Sequence, residues 1–448
     1  WAHVKWFSEF EFSDAPATLS SVLTPTFWAL MALSCVVISL LTFVDNKLSQ
    51  NSSIQGLTHW LDQYKVHSLT IMRAAGAAVL LLSFQSNSLF VPELKVADGY
   101  IGWVSFLGAV LLLFPRAMFI TGLIMIGLYL YGIVNFGWFH MLDYVLFPGV
   151  GYYFLVSYSS NNKIKETGLI SLYSTVGFSL CWVAMEKVLY PQWSLYILEQ
   201  NPQLALGLNF EFFLLAAAFI EFCLGYLMII CLLQRPLAIV ITLVFFSTTL
   251  VFGKLEVIGH TLIHAALIVF ILEGAGSAYK PPISLHSRMR LRIPFSVVNF
   301  AILLFALLFI YQNTAMAKYE MFREKLTTEM GVDVTHHVNK PTLDVEIIPD
   351  PHTGWNLYLK TTNFTFQPER SGLEHVDGQG HAHLYINGKK VNRVYSPWYY
   401  ISSLPLGENK IAVTLNTNDH KAYVVNDKPI EKSVTLQVKD VFDHSAHK

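Results

Sequence analysis

The sequence predicts a polytopic α-helical membrane protein that ends in an all-β sandwich domain. Three observations carry that reading. Of 448 residues, 53% are hydrophobic and 14% are charged, the latter about half the ordinary share. About ten apolar runs of membrane length crowd the chain before residue 315. Beyond residue 342 the composition turns polar, and short runs alternate with a period of two, as half-buried strands do.

The expected order is an extracytoplasmic segment (1–25), a first membrane unit with its preceding helix (26–158), a second membrane unit (159–275), a last membrane helix with a connector (276–342) and the β-domain (343–448). The apolar runs begin with Thr26–Val44. They continue at about 69–88, 100–114, 117–135, 141–158, 168–188, 209–233, 237–253, 258–274 and 294–314. Lys47, Lys65, Arg116, Lys163, Lys165, Arg235, Lys280, Arg288, Arg290 and Arg292 fall in alternate gaps, which the positive-inside rule makes cytoplasmic. An even number of spans then puts the N-terminus and the β-domain on the outer, periplasmic side of a bacterial inner membrane. The lipid bilayer is thus the first expected partner. A net charge of −1 argues against nucleic acid. All four cysteines lie in apolar runs, so no disulfide framework is expected.

An internal repeat divides the membrane part. Leu89-Phe90-Val91-Pro92 and Val188-Leu189-Tyr190-Pro191 each follow an apolar run. Each is followed by another run, a basic turn with proline (Pro115-Arg116, Arg235-Pro236) and a run ending in Phe-Gly. Spans two to five and six to nine therefore read as two tandem four-helix units, one way to build a site at a bundle interface. Glu186, Glu221, His260 and His264 fall within the second unit. A charge at mid-bilayer costs about 2.5–3.5 kcal/mol on insertion scales, so these residues are expected to be paired or to line a polar path. His260 and His264 are four apart and share a helix face. His140 and Asp143 occupy the comparable region of the first unit.

The β-domain carries the metal-type signal. In Gly380-His381-Ala382-His383-Leu384 the two histidines leave the same face of a strand. Asn387-Gly388 then signals a hairpin turn. Asn418-Asp419-His420 follows the alternating run Ile411–Leu415. If that strand pairs nearby, three imidazoles converge. Nitrogen ligands suit copper or zinc rather than calcium or magnesium, with copper ahead of zinc. His375 lies close in sequence to the pair. His3 is a further candidate ligand. A signal-peptidase cut after Ala2 would make it the terminus, offering amine and ring to Cu(II) as in the histidine brace it then resembles. With Trp1 as the terminus, a third-place histidine resembles the amino-terminal copper and nickel site of some serum proteins.

Gly177 to Pro191, with Glu186-Lys187 before Tyr190-Pro191, resembles the first helix and loop of DoxX-like membrane proteins. Glu221-Phe222-Cys223-Leu224-Gly225 with the Gln234-Arg235 turn resembles their second helix. The resemblance covers roughly 100 residues. It implies a quinone-linked oxidoreductase subunit; a separate reading of the polar residues is as the interface of an accessory subunit of a membrane complex, with no chemistry of its own. The tail is similar to small periplasmic β-domains with a Gly-His-x-His-Leu signature and, in general form, to copper-carrier sandwiches. Phosphate loops, C-x-x-C-H, nucleophile elbows and H-E-x-x-H are absent from the sequence.

Overall fold

A computed structural model describes residues 4–6, 14–274, 282–286, 288–328 and 331–438. The chain forms two compact units. The first comprises residues 1–10 and 17–312, the second residues 11–16 and 313–448.

The first unit is helical: α1 (Pro25–Leu48), α2 (Ser52–Asp62), α3 (Ser68–Ser86), α4 (Gly99–Leu111), α5 (Met118–Phe136), α6 (Leu146–Val156), α7 (Asn162–Leu189), α8 (Phe210–Ile229), α9 (Gln234–Phe252), α10 (Lys254–Glu273) and α11 (Met289–Thr328), with short turns and helices between. Thr24, Asn161 and Asn209 start α1, α7 and α8 by accepting backbone N–H bonds from Phe27, Lys163 and Phe212, the usual way to satisfy a helix's first donors.

Among the described residues, seven helical stretches are long and apolar enough to cross a membrane: Pro25–Leu48, Ser52–Ser86, Pro115–Phe136, Asn162–Leu189, Phe210–Ile229, Gln234–Phe252 and Met289–Met321. Of the other three expected spans, two are shorter apolar helices, Gly99–Leu111 and Leu146–Val156, and the third, expected at 258–274, lies within α10, whose apolar stretch is described from Ile258 to Glu273. A helix of 13 residues such as α4 is about 20 Å long, short of a hydrocarbon core of about 30 Å. The run expected at 141–158 is cut because Gly137 turns the chain at φ +84°. A short helix, Trp138–Met141, and a 3₁₀ turn, Leu142–Tyr144, then precede α6. The connector expected after the last span is instead continuous with it, as α11 runs unbroken for 40 residues.

Each of α3–α10 packs on the next, and α10 packs back on α3. The antiparallel pair α7 and α8 packs backbone against backbone. A Cβ on Gly177 would lie 2.6 Å from the Gly225 carbonyl, and the reverse substitution meets the same distance. Small residues that let backbones touch are a common basis of helix association in membranes. Phe27 of α1 packs on Phe219 of α8, and Phe300 and Tyr311 of α11 pack on α8 and α7.

Two basic residues from the gaps, Arg235 and Arg292, tie neighbouring connections together. Arg235 pairs with Asp62 at 2.6 Å and caps the carbonyls of Ile271 and Leu272, each at 2.8 Å. Arg292 pairs with Asp45 at 3.3 Å, and Arg73 holds the Leu112 carbonyl at 2.9 Å.

The second unit is β-rich. Its strands are β1 (Val332–Asp333), β2 (Thr342–Pro349), β3 (Trp355–Thr362), β4 (Thr365–Phe366), β5 (Gln379–Ile386), β6 (Lys389–Val394), β7 (Trp398–Ile401), β8 (Gly407–Thr417), β9 (Tyr423–Val425), β10 (Lys428–Pro429) and β11 (Glu431–Val438). One sheet runs β11-β8-β5-β4, with β6 also on β5. A second runs β2-β3-β7, and β1-β9-β10 form a small third. Leu357 and Leu359 of β3, Ala382 and Leu384 of β5, Val394 of β6, and Ile411, Val413 and Leu415 of β8 share one apolar core. Alternation is the cause: residues two apart face the same side. Asn387 (φ +52°) and Gly388 (φ +81°) make the expected two-residue turn between β5 and β6, both in the left-handed region such hairpins need.

Candidate metal centre

The apolar side of β5 faces the core, so His381 and His383 stand on the other side. The strand pairs antiparallel with β8, His381 opposite Asn416 and His383 opposite Thr414. Gly380 makes the pairing close. A Cβ there would lie 1.9 Å from the Asn416 carbonyl, so glycine in front of the two histidines is a steric requirement. Past Thr417 the chain turns back on itself. Thr417 N–H donates to the Lys421 carbonyl at 2.8 Å, and His420 N–H to Thr417 at 3.1 Å. His420 sits in the turn at φ +69°, which carries its ring over the end of β8 toward β5.

The three rings meet. Nε2 of His381 lies 3.0 Å from Nε2 of His383 and 3.1 Å from Nδ1 of His420. One ligand nitrogen from each lies within 4.8 Å of the others, which makes a cluster able to hold a metal ion. His381 and His383 are buried and His420 is partly so. Tyr395 covers His381 with ring centres 5.3 Å apart, and its hydroxyl is tied to Ser371 at 3.0 Å.

Electrostatics keep these imidazoles neutral. Burial is the largest cause and pushes His381 down to about 4, helped by His420, Arg393 and Lys390. Burial, then Lys390, His381, Arg393 and His420, push His383 down to about 2. His420 is also lowered, by burial, Arg393 and Lys390, against an opposing pull from Asp419. A metal takes the neutral imidazole lone pair, so a site that refuses protons near neutral pH is ready for a cation that binds nitrogen.

The other expected residues separate from this centre. His375 pairs with Asp377 at 2.9 Å and lies beside the Tyr423 ring, outside the cluster. His3 lies outside the described residues. The four membrane candidates belong to the helical unit. There, Glu186 meets Lys5 at 2.6 Å, and Lys5 also meets Asp143 at 2.6 Å. Glu221, halfway along α8, meets Lys187 at 2.8 Å, and His260 pairs with Glu256 one turn earlier on α10. Glu221 and His260 line one cavity of about 30 Å³ with Ser179, Leu180, Val183, Phe245 and Ile263. That volume suits one or two waters. His264 stands a turn beyond His260, with ring centres 6.4 Å apart.

Sequence reasoning missed several members of both sites. In the helical unit these are Lys5, Glu93 and Tyr144. Glu93 bonds His140 at 2.5 Å and also Tyr144, whose hydroxyl receives the Trp6 indole N–H at 3.1 Å. The available signal was one lysine, Lys5, set between Val4 and Trp6-Phe7. In the β-unit the missed members are Lys390, Arg393 and Tyr395, which the Asn387-Gly388 turn brings back alongside the histidines. Set against protein-family models, curated proteins and solved structures, the chain matches none.

Proposed function

We propose that this is a bacterial inner-membrane protein whose periplasmic β-domain binds copper through His381, His383 and His420. It acts in copper handling or in copper-dependent redox chemistry at the membrane. The observation that carries the reading is the convergence of three neutral imidazole nitrogens within 4.8 Å. An all-nitrogen set favours copper or zinc over the oxygen-seeking alkaline earths. Copper stands ahead of zinc because an extracytoplasmic site without thiolates suits Cu(II) imidazole ligation.

The outward placement rests on charge. Arg235 pairs with Asp62 near Lys65 and Arg292 with Asp45 near Lys47, so basic residues of gaps expected on one side lie together, which supports the positive-inside reading. The β-domain is read as a sandwich because β5, β8 and β3 bury side chains in one core. Tandem four-helix groups, α3–α6 and α7–α10, with a DoxX-like second group, agree with the close Gly177–Gly225 contact and the buried Glu186, Lys187 and Glu221. In this reading Glu186, Glu221, His260 and His264 line a polar path. A quinone-linked oxidoreductase is the weaker reading, since the cavity beside Glu221 is water-sized.

The test is metal analysis of the full chain, purified without chelators and then offered copper or zinc. One tightly held copper per chain is expected, and His381→Ala with His383→Ala should abolish it. An unmodified protein that retains no copper ends the proposal.

A further inference from the structure

We propose that the metal centre keeps an exchangeable position for a small anion, held there by Lys390 and Arg393. The inference rests on the metal reading above and adds the ligand class. Three histidines leave at least one position open at a four-coordinate copper or zinc ion. What surrounds that position decides what enters it.

The two cations reach the histidine face because of one extra residue. After the turn, Ile386 opposes Lys389 and Tyr385 opposes Lys390. A regular ladder would next set Leu384 against Val391 and His383 against Asn392. The register instead shifts, so that Leu384 opposes Asn392 and His383 opposes Arg393. Residues three apart normally leave opposite faces of a strand. The bulge at Val391 breaks that rule, as bulges do when they re-aim a side chain. Without it Arg393 would sit opposite Ala382, over the apolar core. With it, Lys390 and Arg393 share the face of His381 and His383.

The geometry bears this out at atomic distance. Lys390 Nζ lies 3.3 Å from Nε2 of His383. A cation that takes the His383 lone pair must turn that ammonium aside, toward the open side of the site. Lys390 and Arg393 are exposed while His381 and His383 are buried, so a ligand from solvent meets the cations first. Among the described residues no carboxylate stands with the three histidines. Asp419, next to His420, is bound to Lys421 at 2.8 Å and to Thr417 at 2.5 Å. A divalent metal on neutral imidazoles beside two side-chain cations is strongly positive, and only an incoming anion balances it.

Azide is the probe, added to the copper-loaded full chain and followed by its charge-transfer absorption and by electron paramagnetic resonance. Copper content is measured on the same samples. The unmodified protein should bind azide. Lys390→Gln with Arg393→Gln should keep its copper but bind azide at least about tenfold more weakly. Lys390→Arg with Arg393→Lys should stay within about threefold of the unmodified protein. Equal azide affinity in the neutral variant overturns the inference and leaves the metal reading intact. So does azide binding that falls as far in the charge-keeping variant. A neutral variant that loses its copper also overturns it, because the cations then serve the metal site itself. Absence of copper from the unmodified protein overturns the metal reading first.

Discussion

The two units each bury a polar cluster, and they settle their charges in opposite ways. In the helical unit every central carboxylate ends on a base: Glu186 on Lys5, Glu221 on Lys187, Glu256 on His260 and Glu93 on His140. In the β-unit three imidazoles face one another with cations at their edge. The first cluster sets its carboxylates against bases. The second offers lone pairs and repels protons, so its natural complement is a metal cation. Burial alone does not separate the two, because Lys5, Glu186, His381 and His383 are all buried. Partner chemistry does.

The sharpest way to break this contrast is to exchange metal content for charge pairing. His383→Ala should reduce bound copper from one per chain to none. Glu221→Gln and His375→Ala should leave it unchanged, measured by elemental analysis of desalted protein. Copper lost equally in all three would mean that it marks general folding and not a site.

A large effect is also expected in the helical unit. Lys187→Met strands the Glu221 carboxylate, and breaking a buried pair from one side costs about 3–5 kcal/mol. Adding Glu221→Gln should restore most of that, since removing both charges spares the uncompensated one. Thermal unfolding in detergent of the two variants checks it. A double variant no more stable than Lys187→Met would show that the pair is not a unit.

The smallest effect concerns acid and the metal-free protein. His381 and His383 have folded pKa values pushed below their unfolded value of about 6.5. The unfolded chain therefore binds more protons below that point, and stability falls as pH drops from about 6.5 toward about 4. Hydrogen exchange at β5 and β8 should accelerate over that window. His383→Ala should flatten the dependence. A variant as acid-sensitive as the parent would show that the histidines are not the cause.

Much of the metal centre could be read in one dimension. Residues 381 and 383 share a strand face by the two-residue period, and Asn387-Gly388 announces the return of the chain. The condition that β8 should pair beside them was the open step, and antiparallel pairing of His381 with Asn416 meets it. The bulge at Val391 could not be read, since it replaces one regular register by another that local pattern allows equally. Lys5 was equally hidden. A lysine near the start of a chain carries no sign that Asp143 and Glu186, far along the sequence, will enclose it.

Hydrophobic run length and charge placement by themselves determined that the chain is a membrane protein with a polar β-rich end, because bilayer thickness and backbone hydrogen bonding act on local stretches. Alternation determined which side of β5 holds the histidines, because the strand period is fixed by covalent geometry. Tertiary structure decided the rest. It cut two expected spans short, seated Lys5 among carboxylates, swung His420 over β8 and turned Arg393 toward His383. Each of these depends on which distant backbone arrives beside a residue, and the free energy of that meeting is not contained in either segment alone.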